Sequence, residues 1–219
     1  MRDGFKPAAA IFDFDGTLAD SMWVWDEVDR EFARRRDLPF SNEDKERIAA
    51  LGFEGTAVWM IERFGLEESI EDLMDEWYEL ASESYAREVR LKPGAEAFVC
   101  QLKRHGIPVA IATSLSRGML EPALDNNGVR SLFDELVVCE EVCEGGKSTP
   151  AVYIETARRL GVDLSSCVVF EDVALAARSA KAGGARVVGV RDDHAQQVRS
   201  ELLEAADLFI QDFRELLAE

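Results

Sequence analysis

The sequence predicts an α/β protein: a parallel sheet with helices on both faces, interrupted by an inserted all-helical unit. Three observations predict it. Short apolar runs, several rich in β-branched residues, recur at 8–14, 107–113, 136–139, 167–171 and 186–190; strands that are apolar throughout are buried on both faces. Helical patterns lie between them, as a parallel sheet with crossover helices requires. Residues 20–90 break this rhythm, with no strand-like run and apolar residues at helical spacing.

The individual elements follow from local signals. Residues 95–106 read as a helix ending at Gly106, a residue suited to a C-terminal cap. Thr149-Pro150 opens another, with a cap residue followed by Pro at the first turn, and it runs to Gly161. Within 20–90, Trp25, Val28 and Phe32 share one helical face, as do Ile70, Leu73, Met74, Trp77, Ala81 and Tyr85. Ser41–Asp44 and Ser69–Asp72 each read S-x-x-D, a helix-start pattern. The expected division is a core of residues 1–19 and 91–219, with residues 20–90 inserted and Asp20 at the departure point.

Composition narrows the function classes. With 219 residues, 47% hydrophobic and 31% charged, the chain reads as soluble and globular. The net charge of -18, from 43 acids and 25 bases, argues against nucleic acid and anionic membranes as partners. No apolar run approaches the ~20 residues that span a bilayer, and Asp13 interrupts the N-terminal apolar stretch, so a cytoplasmic location is expected. Four cysteines read as reduced thiols; Cys139 and Cys143 lack the partners a zinc site needs. Arg34-Arg35-Arg36 reads as a solvated helix end rather than a binding patch. Oligomeric state, monomer or homodimer, is left open.

Four separated pieces carry the chemistry. The first is Asp13-x-Asp15-Gly16-Thr17 at the end of the first apolar run. Alternation along a strand places both carboxylates on the same side, and the C-terminal edge of an open α/β sheet faces the ligand crevice. Such a pair suits Mg²⁺, which prefers hard oxygen ligands, and also a nucleophile with an acid/base partner. The second is Thr113-Ser114, where a hydroxyl can donate to a phosphoryl oxygen. The third is Lys147 in EGGKSTP. It ends like a nucleotide-binding P-loop, but position 141 is Glu where that motif needs Gly, so Lys147 reads instead as a point charge delivered to an anion. The fourth is Glu171-Asp172, ending another apolar run; Asp172 suits a metal begun at Asp13, and Glu171 suits the role of orienting its waters.

With these pieces in this order, the chain resembles the haloacid dehalogenase superfamily, in its phosphatase and β-phosphoglucomutase-like branch. The resemblance runs essentially end to end and implies a Rossmann-like core with a helical cap at 20–90. By position it implies that Asp13 attacks phosphorus and becomes an aspartyl phosphate. Asp15 then serves as acid and base, and Thr113 and Lys147 hold the transferring oxygens. Mg²⁺ is implied as the cofactor, bound by the Asp13 carboxylate, the Asp15 backbone carbonyl and Asp172, with Glu171 behind them. The substrate implied is a small phosphorylated metabolite such as a sugar phosphate.

Some positions depart from the family pattern. The stretch after Lys147 is Ser148-Thr149-Pro150-Ala151, and Val173 and Ala176 replace a usual S-x-x-G. Mutases of the branch carry His where this chain has Trp25, and a base on a cap loop where this chain reads Gly52-Phe53-Glu54-Gly55-Thr56. Hydrolysis is therefore expected over a sugar-phosphate mutase reaction, with a non-catalytic phospho-signalling protein as the remote alternative. Ser114, Trp25, Phe53 and Glu54 are candidate substrate contacts; for Trp25 and Phe53 packing within the cap is the competing reading, and Trp59 reads as cap core.

Overall fold

The computed structural model describes residues 6–48, 51–142, 146–193 and 198–217. The chain enters the core as strand β1 (Ala9–Phe12), turns, and forms the short strand β2 (Ala19–Asp20). Four helices follow: α1 (Met22–Arg35), α2 (Asn42–Ile48), α3 (Gly52–Phe64) and α4 (Ile70–Arg87). Strand β3 (Arg90–Leu91) leads back through α5 (Ala95–Arg104), β4 (Val109–Thr113), α6 (Arg117–Asn126) and β5 (Glu135–Val138). The remainder is α7 (Ala151–Arg159), β6 (Cys167–Glu171), α8 (Ala174–Ala182), β7 (Arg186–Val190), α9 (Arg199–Ala205) and β8 (Leu208–Ile210).

Six strands form one parallel sheet in the order β5-β4-β1-β6-β7-β8. The five apolar runs are all present, and β1 lies between β4 and β6. Strand β8 was not legible: three residues are too few to show a period. The pleat sends alternate residues to opposite faces. Phe12 and Phe170 stack on one face at 4.4 Å, with Phe98 and Phe213 against them. Ile11 and Val169 face the other way, toward Val152, Ala157, Ala177 and Ala180 of α7 and α8.

The helical insertion is framed by β2 and β3, which pair antiparallel as Ala19↔Leu91 and Asp20↔Arg90. Both strands are two residues long, so no period revealed them. The inserted helices bury the predicted faces: Val24, Val28 and Phe32 of α1, and Leu73, Trp77, Ala81 and Tyr85 of α4. This interior is continuous with the Phe12 face of the core, and α4 packs on α6. The arginine run is an ion-paired helix end, with Arg36 reaching Glu68 and Glu76 at 2.9 and 2.6 Å.

Both S-x-x-D patterns start helices. Ser69 and Asp72 form a reciprocal capping box at α4, and Ser41 and Asp44 exchange the same bonds before α2. Helix α7 begins one residue later than expected, with Pro150 in the cap position and no side-chain cap. Because α4 carries Tyr85 to the site described below, its cap has functional weight. Ser69→Ala should cost about 1 kcal/mol, the usual loss of an N-cap oxygen, measured as a shift in the urea midpoint.

Candidate active site

The sheet's C-terminal edge gathers the four pieces. Phe12 is level with Ile111 and with Phe170, so Asp13, Thr113 and Glu171 emerge at one place. Strand β1 stops at Phe12, although the Asp13 N–H still donates to the Phe170 carbonyl at 3.0 Å. A turn follows, and the two carboxylates take different partners, while the Asp13 charge still acts on Asp15. The Asp13 carboxylate accepts from Lys147 Nζ. Asp15 Oδ1 accepts from Ser21 at 2.6 Å and from the Tyr85 hydroxyl at 2.7 Å.

Gly16 makes that turn possible. Its φ is +69°, and a Cβ there would lie 2.3 Å from Asp172 Oδ2. A glycine is thus required both by backbone conformation and by the close approach of a carboxylate. Thr17 fixes the same carboxylate, donating to Asp172 Oδ1 at 3.0 Å. Glu171 Oε1 accepts from Lys147 at 2.6 Å and from the Tyr153 hydroxyl at 2.6 Å.

Burial dominates the electrostatics. It raises Glu171 to about 7, with the Lys147 charge pulling the other way, and it holds Asp172 well above the usual carboxylate range, helped by the charges of Asp13 and Glu171. Asp15 is raised to about 6 by burial and the Asp13 charge, against the hydrogen bonds from Ser21 and Tyr85. Burial works against the Lys147 ammonium too, but Asp13 and Glu171 outweigh it and hold Lys147 firmly protonated.

Asp13, Glu171 and Asp172 each offer a carboxylate oxygen, and these oxygens all lie within 4.8 Å of one another. Three buried acids face one lysine, and burial pushes Glu171 and Asp172 toward their protonated forms unless a further cation is bound. Hard oxygen donors in such a cluster fit a divalent cation of the Mg²⁺ kind.

The other predicted residues fall around this centre. Thr113 is buried at the end of β4, and its Oγ1 accepts from the Leu115 N–H at 3.1 Å while keeping a proton to donate. Ser114 is exposed, with Oγ 3.6 Å from Cys139 Sγ. Trp25 and Phe53 are half-buried and meet edge-on at 5.3 Å; Trp25 also reaches Tyr85 at 6.2 Å. Glu54 is exposed on α3. Trp59 packs against Phe64 within the helical unit. Cys143 lies outside the described residues. Among the described residues, no helix is long and apolar enough to cross a membrane.

Several site residues escaped the sequence reading. Tyr85 was assigned only to a helix's apolar face, and the hydroxyl end of that side chain is what meets Asp15. Lys92 had no visible partner, since its acid lies a hundred positions away. Its buried ammonium donates to the Gly16 carbonyl, to the Arg191 carbonyl at 2.7 Å and to Asp192 at 2.7 Å. Its own N–H bonds the Leu18 carbonyl at 2.7 Å. Lys92 thus ties the end of β3 to the back of the Asp15-Gly16 turn.

Residues 7–184 match the haloacid dehalogenase-like hydrolase family. The chain belongs to that family. It is 30% identical over 213 residues to hexitol phosphatase B of Escherichia coli strain K12, covering 96% of this chain and 94% of that protein. It is 28% identical over 184 residues to the bifunctional riboflavin kinase/FMN phosphatase of Arabidopsis thaliana, covering 84% of this chain; the chain spans about half of that relative, 48% of its length. Its fold matches that of CbbY from Rhodobacter sphaeroides with a TM-score of 0.82 at 24% identity, covering 96% of both chains.

Two expectations follow for this hydrolase. In metal-free buffer, Asp15 and Glu171 hold protons in the folded chain that the unfolded chain releases. Their stability contribution is therefore full at low pH and lost as pH rises through about 6 and about 7. The melting temperature without metal should fall between pH 5 and pH 8, and Mg²⁺ should raise it more at pH 8 than at pH 5, read by scanning fluorimetry. Separately, Lys92 and Asp192 are 8% and 7% exposed. Lys92→Met should cost ~3–5 kcal/mol in urea unfolding by removing the ammonium from a buried pair, and adding Asp192→Leu should recover part of the loss.

Proposed function

We propose that this chain is a Mg²⁺-dependent phosphatase of small phosphate monoesters, working through an aspartyl phosphate on Asp13. The observation that carries the reading is the division of the two aspartates. Asp13 faces Lys147 and the acid cluster. Asp15 faces the helical cap, with a carboxyl raised to about 6 by burial. One is paired with a lysine ammonium beside the acid cluster, where the attacking oxygen is needed. The other is poised to exchange a proton near neutral pH, as an acid/base catalyst must be. Both donors to Asp15 use Oδ1, which leaves Oδ2 to meet the leaving-group oxygen.

In the proposed reaction, an Asp13 oxygen attacks phosphorus as the ester oxygen leaves with a proton from Asp15. The Thr113 hydroxyl and the Lys147 ammonium hold the transferring oxygens. Asp15, now ionised, takes a proton from water, which attacks the phosphoryl group and releases phosphate, restoring Asp13. The Asp13 and Asp172 carboxylates with the Asp15 carbonyl are the proposed metal ligands, and bound Mg²⁺ would neutralise phosphoryl charge. Glu171, taken up by Lys147 and Tyr153, is proposed to orient the site from behind. The lid is residues 20–90, hinged on the β2–β3 ribbon, and its closure would exclude water.

Hydrolysis is favoured over a mutase reaction by what stands in the cap. Trp25 occupies the mutase histidine position, and the first turn of α3 carries Glu54 rather than a base. The relatives named as phosphatases of hexitol phosphates and of FMN support a small phosphorylated metabolite as substrate. The test is phosphate release from a panel of esters with Mg²⁺ and with EDTA. Asp13→Asn should abolish turnover, and Asp15→Asn should lower it by about 10²-fold or more. Full activity in Asp13→Asn would remove the nucleophile assignment; isomerised product without free phosphate would favour the mutase.

A further inference from the structure

A row of aromatic rings starts at the acid/base residue and runs along the cap. Tyr85 donates to Asp15 at 2.7 Å. The Trp25 ring lies 6.2 Å from Tyr85, the Phe53 ring 5.3 Å from Trp25, and the Tyr78 ring 4.9 Å from Phe53. Tyr85 is buried, while Trp25, Phe53 and Tyr78 are each half-buried. Buried Trp77 stands edge-on behind Phe53 at 5.3 Å and fixes its ring. Helix α4, which carries Tyr78 and Tyr85, packs on α6, and the charge of Glu140, beyond β5, reaches Tyr78. The row therefore starts at Asp15 and runs along a helix that adjoins the core.

Its polar groups are few, and the Tyr85 hydroxyl is given to Asp15. The nearby charges are acidic, Glu54 on α3 and Glu140 on the core. Arg117, the cation beside Glu140, is spent on Glu121, Glu141 and the Leu136 carbonyl. A polyol needs a hydrogen-bond partner for each hydroxyl it buries, and a carboxylate or second phosphate needs a cation. The row offers π-faces instead, and planar rings stack on these with little demand for polar groups.

Resting on the phosphatase reading, we propose that Trp25, Phe53 and Tyr78 form the leaving-group subsite, and that the substrate is the phosphate ester of a primary alcohol carrying an uncharged heteroaromatic ring, of nucleoside or flavin type. Asp15 protonates the ester oxygen, so the leaving alcohol starts where the row starts. The sugar or ribityl carbons then pass Tyr85 and Trp25, and the ring reaches Phe53 and Tyr78.

The test has a kinetic and a binding arm. Uridine 5′-monophosphate and FMN are compared with glycerol 3-phosphate and sorbitol 6-phosphate in Mg²⁺. The ring-bearing esters should have kcat/KM at least about tenfold higher, and Phe53→Leu and Tyr78→Ala should each cut that ratio by about tenfold, the scale of one lost stacking contact. Phe53→Leu keeps apolar bulk against Trp77, and melting curves check that both variants fold. In Asp13→Asn, binding of the same four esters is followed by calorimetry. The ring-bearing pair should bind more tightly, and Phe53→Leu in that background should erase the difference. Equal or better turnover of sorbitol 6-phosphate, or variants that leave the ratio unmoved, would overturn the subsite. If no ester is hydrolysed, the phosphatase reading fails and the binding arm alone decides: selective, Phe53-dependent binding supports the subsite, and its absence overturns it.

Discussion

Negative charge that cannot reach water governs the C-terminal edge of this sheet. Asp13, Glu171 and Asp172 are all nearly inaccessible, and their oxygens crowd within 4.8 Å. Unrelieved, that crowding would protonate the acids or unfold the edge. The surroundings answer it with specific partners. Lys147 bridges Asp13 and Glu171, Tyr153 gives Glu171 a second donor, and Thr17 holds Asp172. Even the backbone is shaped by the cluster, because Gly16 must lack a side chain where Asp172 approaches. Behind the turn, Lys92 adds a second buried ammonium whose charge also acts on Asp172.

The same turn connects chemistry to the cap. Asp15 takes its side-chain hydrogen bonds from residues of the inserted segment: Ser21, just past β2, and Tyr85, in α4 just before β3. Lys92 follows directly after β3 and grips the Gly16 carbonyl. Asp15, the proposed acid/base group, is thus held by contacts on both sides of the two-residue ribbon that joins the helical unit to the core. A rotation of the cap that shifted α4 would change the donors to Asp15 and the direction of its second oxygen together. The helical unit is therefore tied mechanically to the proposed proton-transfer group.

Legibility in the sequence tracked the range of the interactions. The five long strands announced themselves because burial on both faces demands apolar residues at every position. The S-x-x-D starts at Ser41 and Ser69 were readable because a cap is a contact over three residues. Asp13, Thr113, Lys147 and Asp172 were readable only as a set, since each follows an apolar run and the sheet brings those ends together. What stayed hidden lacks a local signature. The Lys92–Asp192 pair spans a hundred residues. The ring of Tyr85 belongs to a helix face while its hydroxyl belongs to the site. The separate partners of Asp13 and Asp15 come from distant parts of the chain, and Phe14 continues the apolar pattern past the end of β1 at Phe12.

A chain with net charge -18 must still attract a phosphate. The field of the whole surface opposes every anion, and 20–90 contributes -11 of it by 20 acids against 9 bases. Attraction must then be local, from buried groups whose charge is not screened by water. Lys147 is such a group, and a divalent cation on the acid cluster would be another. Both belong to the core, where the proposed reaction places the phosphoryl group, and neither to the cap. This division would separate the two halves of an ester: the phosphate drawn to the core by unscreened positive charge, the leaving group met by aromatic rings and acids. An ester with a second anionic group would carry that group into the acidic half, so under the proposed reaction the charge layout would itself disfavour doubly anionic substrates.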